Sequence, residues 1–204
     1  MSPQGTSRLA SRLAGLPPTF TTAQARLASL SSRDLADLIA DGKILELSRG
    51  VHRQASAPET AYLDLLTVCI RAPHAVVCDE SALALHELID DIPTAVHIAV
   101  PRGQHRPSYS YPPVVVAQYS PDTFNLGIED FPVSPEESVP VYSAARSVVD
   151  AMRHRGRIGE TLALSALGRY LRRSDQRKLN ELQRIAHQLH ALSLIRPAIE
   201  AVLA

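Results

Sequence analysis

Leu9, Leu13 and Leu16 stand at i, i+4 and i+7, which sets one apolar stripe on a helix over residues 6–15. Gly15 and then Pro17-Pro18 end that helix. A second helix opens at Thr21. Thr21-Thr22-Ala23-Gln24 fits a capping box, in which the Thr21 hydroxyl takes the Gln24 amide and Gln24 reaches back. It runs to about Ser29, with Ala23 and Leu27 on its buried side and Phe20 packed beneath the cap. After a turn of about one residue, Ser31-Ser32-Arg33-Asp34 repeats the capping logic and opens a third helix. Leu35, Leu38 and Ile39 give it a buried side. Ser32, Arg33, Ala36, Asp37 and Ala40 face outward, and Asp41-Gly42 stops it. A hairpin follows, with strands over 44–47 and 51–53 joined by Ser48-Arg49-Gly50, where glycine admits positive φ. Residues 54–58 read as a small polar linker.

Beyond the linker the pattern changes. Helices are expected over 62–71 and 81–88, and strands over 75–78, 96–100, 113–119 and 139–142. Ser143 caps a helix that reaches about Arg153. The tail reads as helices over 159–172, 175–192 and 197–204. The expected fold is α+β: a winged helix-turn-helix over residues 1–56, then a mixed α/β domain over 57–204 that is helical from about 155 onward.

Composition adds little to this, but the placement of charge does. An apolar fraction of 45% and a charged fraction of 21% suit a globular chain, and the net charge is zero. Residues 1–56 carry +3, residues 57–145 carry −9 and residues 146–204 carry +6. The two basic ends can meet phosphate, whereas the acidic middle is repelled by it. Cys69 and Cys78 make neither a disulfide framework nor a zinc ribbon, and Cys78 lies in an apolar run. With no signal-peptide pattern and no apolar run long enough to span a bilayer, the chain is expected to be cytoplasmic, with no membrane contact.

Three short helices followed by a hairpin suggest a DNA reader. A helix fits the major groove, where its first residues meet base edges while the preceding helix touches backbone. Ser31, Ser32 and Arg33 hold that position on the third helix. Thr21, Thr22 and Gln24 can hold phosphate at the start of the second helix. Lys43, Arg49, His52 and Arg53 are expected to point from the hairpin toward backbone or minor groove. In the tail, Arg153, Arg155, Arg157, Arg169, Arg172 and Arg173 offer a basic surface for DNA backbone or an acidic partner. Against this reading, Asp34, Asp37 and Asp41 make the third helix a poor electrostatic surface. They leave open a protein-interaction module with a degenerate winged helix that does not bind DNA.

Several runs together resemble one family. They are Phe20-Thr21-Thr22-Ala23-Gln24-Ala25, the stretch from Gly42-Lys43-Ile44 to Arg49-Gly50-Val51, Ser81-Ala82-Leu83-Ala84-Leu85-His86, Val100-Pro101-Arg102-Gly103 and Ala145-Arg146-Ser147-Val148-Val149-Asp150. Their order and spacing over about residues 15–152 resemble the AbiEi-type antitoxins of bacteria. The resemblance implies a winged domain that binds operator DNA and represses its own operon. It also implies a second domain needed to counteract a cognate nucleotidyltransferase toxin.

No motif points to catalysis or a cofactor. Gly-x-Ser-x-Gly, a phosphate loop and Gly-x-Gly-x-x-Gly are all missing from the sequence. His86, His97 and His105 with Asp79 and Glu80 match no metal-ligand spacing. Short strands near Asp79 and Glu80 give a nuclease-like reading only faint motive. Arg146 and Asp150 stand at i and i+4 and read as a structural ion pair rather than a catalytic one.

Overall fold

Pro17 and Pro18 cannot continue a helix, so the chain leaves α1 (Pro3–Ala14) extended and enters a short strand, β1 (Thr19–Thr21). The computed structural model describes residues 3–203, with side chains over 8–202. Two capped helices follow. α2 (Thr22–Leu27) carries the Thr21/Gln24 capping box, and α3 (Ser32–Ala40) carries the Ser31/Asp34 box. Next come β2 (Ile44–Ser48), β3 (Val51–Gln54) and α4 (Leu63–Arg71). β1 pairs antiparallel with β3, which pairs antiparallel with β2, making a three-stranded sheet in the order β1-β3-β2. Its core is Phe20, Ala25, Leu30, Leu35, Leu38 and Ile44, with Leu9, Leu13 and Leu16 packed against it.

Four details here depart from what the sequence pattern predicts. β1 is an addition, because three residues are too few to show alternation. The α2–α3 turn takes residues 28–31 rather than about one. Ser29 adopts φ 62, and Leu30 donates to the Ala25 carbonyl at 2.9 Å, closing the helix before Leu30 drops into the core. The buried side of α2 is Ala25, while Ala23 is exposed and Leu27 is 88% exposed. With β1 and the Thr21 box fixing where α2 begins, two turns leave no freedom to rotate Leu27 inward. Ile39 is exposed as well, so α3 buries only Leu35 and Leu38.

The remaining elements build a larger body. They are β4 (Val76–Val77), α5 (Asp79–Leu85), β5 (Val96–Pro101), β6 (Val114–Tyr119), α6 (Pro121–Phe124), β7 (Ile128–Ser134) and β8 (Glu137–Tyr142). Five helices complete the chain: α7 (Ala144–Arg153), α8 (Arg155–Ile158), α9 (Glu160–Arg172), α10 (Gln176–Gln188) and α11 (Leu192–Leu203). The sheet order is β6-β5-β4-β8-β7, with β5 parallel to β6 and β4 antiparallel to β5 but parallel to β8. The helices gather around α7, whose residues 145–152 are all buried, and share a core with Leu83, Leu167, Leu182, Ile185 and Ile195. The chain is thus a mixed α+β protein with a helical C-terminal part, and no helix among the described residues is long and apolar enough to cross a membrane.

The chain divides into two compact units. One runs through Pro73 and takes back residues 132–139, and the other holds 74–131 and 140–204. The first unit takes in α4 and residues 132–139 besides the expected 1–56 segment. β7 is also absent from the sequence pattern. It contains Pro132 and lies at the sheet edge, where a missing N–H costs no ladder bond. α11 begins at Leu192, not at Pro197. Ile195 is fully buried, and burial carries the helix across the proline.

Ser143 caps α7 by accepting from the Arg146 amide, and Gly127 sits hard against this start. Gly127 has φ +74, and a Cβ there would stand 3.0 Å from Arg146 Cβ. Gly127→Ala is therefore expected to cost about 1–3 kcal/mol through left-handed strain and overpacking, read as a lower urea midpoint. An unchanged midpoint would contradict that packing.

Candidate nucleic-acid interface

Ser31 ends the α2–α3 turn in an extended conformation, so its side chain can reach forward over the first turn of α3. Its hydroxyl accepts from the Asp34 amide at 3.1 Å. The Asp34 carboxylate returns to Ser31, accepting from N at 2.8 Å and from Oγ at 2.7 Å. The backbone and side-chain hydrogen bonds from Ser31 hold the Asp34 carboxyl below its ordinary value. One of the three aspartates on this helix is therefore a cap. Asp37 is half-buried, and Asp41 closes the far end of α3 as its C-cap. Ser32, Arg33, Ala36 and Ala40 are exposed. Lys43 and Arg49 are exposed too, with Arg49 in the β2–β3 turn beside Gly50 at φ +80.

The start of α2 is differently occupied. The Thr21 amide donates to Gln24 Oε1 at 2.7 Å, the Gln24 amide to Thr21 Oγ1 at 3.1 Å, and the Thr22 amide to the Gly50 carbonyl at 3.0 Å. Thr22 Oγ1 lies 3.0 Å from His52 Nε2. The amides and hydroxyls of Thr21, Thr22 and Gln24 expected to hold phosphate are spent within the fold.

His52 and Arg53 need a larger correction, because both are 4% exposed. His52 packs its ring 5.6 Å from Phe20, and burial lowers its pKa against the opposing pull of Glu46. Arg53 donates to Glu137 Oε2 at 2.7 Å and also reaches Thr19 Oγ1 and the Pro58 carbonyl. Burial would raise the Glu137 carboxyl, but hydrogen bonds from Thr19, Arg53 and Ser134 bring it below its ordinary value. Both are structural residues of the β3 strand.

Most of the basic residues singled out in the tail are paired within their own unit. Arg153 reaches Asp150 at 2.7 Å, Arg155 reaches Glu160 at 3.5 Å and Arg157 reaches Asp79 at 2.8 Å. Arg169 grips Asp90 with both nitrogens, and Arg173 meets Glu87 at 3.4 Å. Of the six, Arg172 alone has no ion pair among the described residues. The surface pairs are individually weak, but each reduces the field its arginine offers a phosphate.

Asp79 is the exception to weakness. It stands at φ 45 as the first residue of α5, 2% exposed, and accepts from Tyr119 Oη at 3.1 Å as well as from Arg157. Burial alone would raise its carboxyl, yet the hydrogen bond from His154 and the charge of Arg157 bring it down to about 2. A depressed folded pKa contributes stability that is complete above about pH 4 and is lost as pH falls toward 2. Asp79→Asn should flatten the acid limb of a stability-versus-pH curve in that window, and an identical limb would contradict the pairing. Neither cysteine enters this chemistry. Burial pushes the Cys69 thiol up to about 12 and the Cys78 thiol well above its ordinary value.

No family model matches the chain, and no curated protein does. The crystal structure of RV2827C protein from Mycobacterium tuberculosis is similar in fold. It has a TM-score of 0.58 and 15% identity, and the match covers 92% of this chain and 72% of that one. At that identity the likeness is one of architecture.

Proposed function

We propose that residues 1–56 form a winged helix-turn-helix that places α3 in the major groove, and that the chain is a DNA-binding antitoxin. The observation that carries the first part is the free outward side of α3. Ser32 and Arg33 stand exposed at its first turn, Ala36 and Ala40 leave room for close approach, and Asp34 is folded back as a cap. Arg33 can grip guanine O6 and N7, and Ala36 can meet a thymine methyl. Arg49 and Lys43 supply backbone contacts on the hairpin side. The antitoxin part rests on the resemblance of the ordered motifs to AbiEi-type antitoxins. In this reading the chain represses its own operon and counteracts a cognate nucleotidyltransferase toxin.

Titration of the chain against DNA from upstream of its own gene tests the first part. Saturable binding that weakens steeply with salt is expected, and no binding at low salt would remove it. Co-expression with the product of the adjacent gene tests the second part. Rescue of growth is expected, and undiminished toxicity would overturn it.

A second reading has its own support. Leu27 is 88% exposed, Leu45 55% and Ile39 38%, an unusual set of large apolar side chains in so small a domain. A module that docks a protein partner and not DNA would use them. Leu27→Ser would then abolish partner control, whereas Arg33→Ala would leave it intact.

A further inference from the structure

The acidic middle of the chain carries one stretch of the opposite kind. Residues 57–145 hold twelve acidic side chains and three basic ones, yet residues 92–121 contain no aspartate or glutamate. Two of the three arginines, Arg102 and Arg106, lie in that gap, within the loop that joins β5 to β6. We propose that this loop, over residues 102–111, binds single-stranded nucleic acid, with its cations on phosphates and its rings on bases.

The course of the loop follows from topology. β5 and β6 are parallel neighbours, so the chain must travel back the length of a strand between them, a return usually made by a helix. Here residues 102–113 make it without helix or strand, and a structureless connection of that length is commonly functional. Gly103 turns the chain at φ +91, and the Arg102 amide donates to the Tyr119 carbonyl at 2.8 Å. The Gln104 carbonyl accepts from Gln118 Nε2 at 3.1 Å, and Arg106 Nη2 donates to the Val116 carbonyl at 3.1 Å. The loop therefore runs down the outer edge of β6, the end strand of its sheet, and shields that edge. Edge protection accounts for the backbone. It does not account for the side chains the loop shows to water.

Residues 102–106 are all exposed, and Tyr111 is 57% exposed. Arg102, His105, Arg106, Tyr109 and Tyr111 set cations and rings close together along one short run. Most of the tail arginines are paired, but Arg102, His105 and Arg106 have no ion pair among the described residues, so no carboxylate offsets their charge. Every base has a π-face, so an exposed ring beside a cation holds an unpaired base whatever its identity. A duplex keeps its bases stacked on one another and gives Tyr111 nothing to hold, and an acidic peptide brings charge without such a face. β6 is six residues long, about 20 Å, which suits a site of about 4 nucleotides. The exposed Asp122, just beyond β6, ends the strip. The strip lies wholly in the second unit and is independent of α3.

The test uses the full chain and fluorescence anisotropy, with short labelled oligouridylate and oligothymidylate as probes. Saturable binding that weakens with salt is expected, and the tighter of the two probes names the source as RNA or DNA. Arg102→Glu changes one exposed side chain and should fold normally, yet lose roughly tenfold or more in single-strand affinity. Tyr111→Ala should lose about fivefold or more, whereas Tyr111→Phe, which keeps the ring, should bind like the parent. Arg33→Ala should leave single-strand affinity unchanged and Arg102→Glu should leave duplex affinity unchanged, so the strip and α3 fail separately. No saturation at low salt, displacement by polyglutamate as effective as by unlabelled oligonucleotide, unchanged affinity in Arg102→Glu or in Tyr111→Ala, or a loss of single-strand affinity in Arg33→Ala would each overturn the assignment.

Discussion

Asp150→Ala is expected to destabilise the protein by about 3–5 kcal/mol, because it strips the counter-charge from a buried guanidinium. Arg146 is 1% exposed and Asp150 is 1% exposed, and they meet at 2.6 Å one turn apart on α7. Asp150 also holds Arg153 at 2.7 Å. Arg146 donates further to the carbonyls of Thr123 and Leu126, and its guanidinium lies 4.5 Å from the centre of the Tyr142 ring. The pair thus fixes the loop before β7 to the helix around which the second unit is built. Removing one partner leaves the other charge buried, which is why the loss far exceeds that of a surface pair. Chemical denaturation reads it directly. A loss below about 1 kcal/mol, the range of a surface pair, would mean that the pair is not a structural anchor.

Arg33→Ala is expected to cost about 1–3 kcal/mol in binding to the upstream duplex, or roughly 5- to 150-fold, and to relax base preference at one position. The loss should come with little change in fold, since Arg33 is exposed and the Ser31/Asp34 cap does not involve its side chain. Arg49→Ala should behave differently. It should weaken binding alike for specific and unrelated sequences, and lower the salt slope by about one. Anisotropy titrations of the two variants on cognate and scrambled duplexes separate these roles. Equal losses on both duplexes for Arg33→Ala would deny it a base contact.

Local rules are readable where one residue's chemistry decides the outcome. Thr21, Ser31, Ser143 and Asp175 all cap helices, because a short polar side chain before an apolar period satisfies amides that nothing else can reach. The Arg146–Asp150 pair is legible from spacing alone. What the sequence hides depends on partners far along the chain. Arg53 reads as a free cation until Glu137, 84 residues later, is placed beside it. His52 alternates in the hairpin like an exposed residue until β1 closes over that strand and sets Phe20 against it. Leu27 and Ile39 fit a helical stripe, but α2 is two turns long and α3 buries only two leucines, so neither reaches the core.

Amide chemical-shift mapping of the full chain with its upstream duplex examines the outward side of α3 residue by residue. The largest shifts are expected at Ser32, Arg33 and Ala36, with a second group at Arg49 and Gly50. Shifts confined to the second unit, or none at low salt, would contradict it.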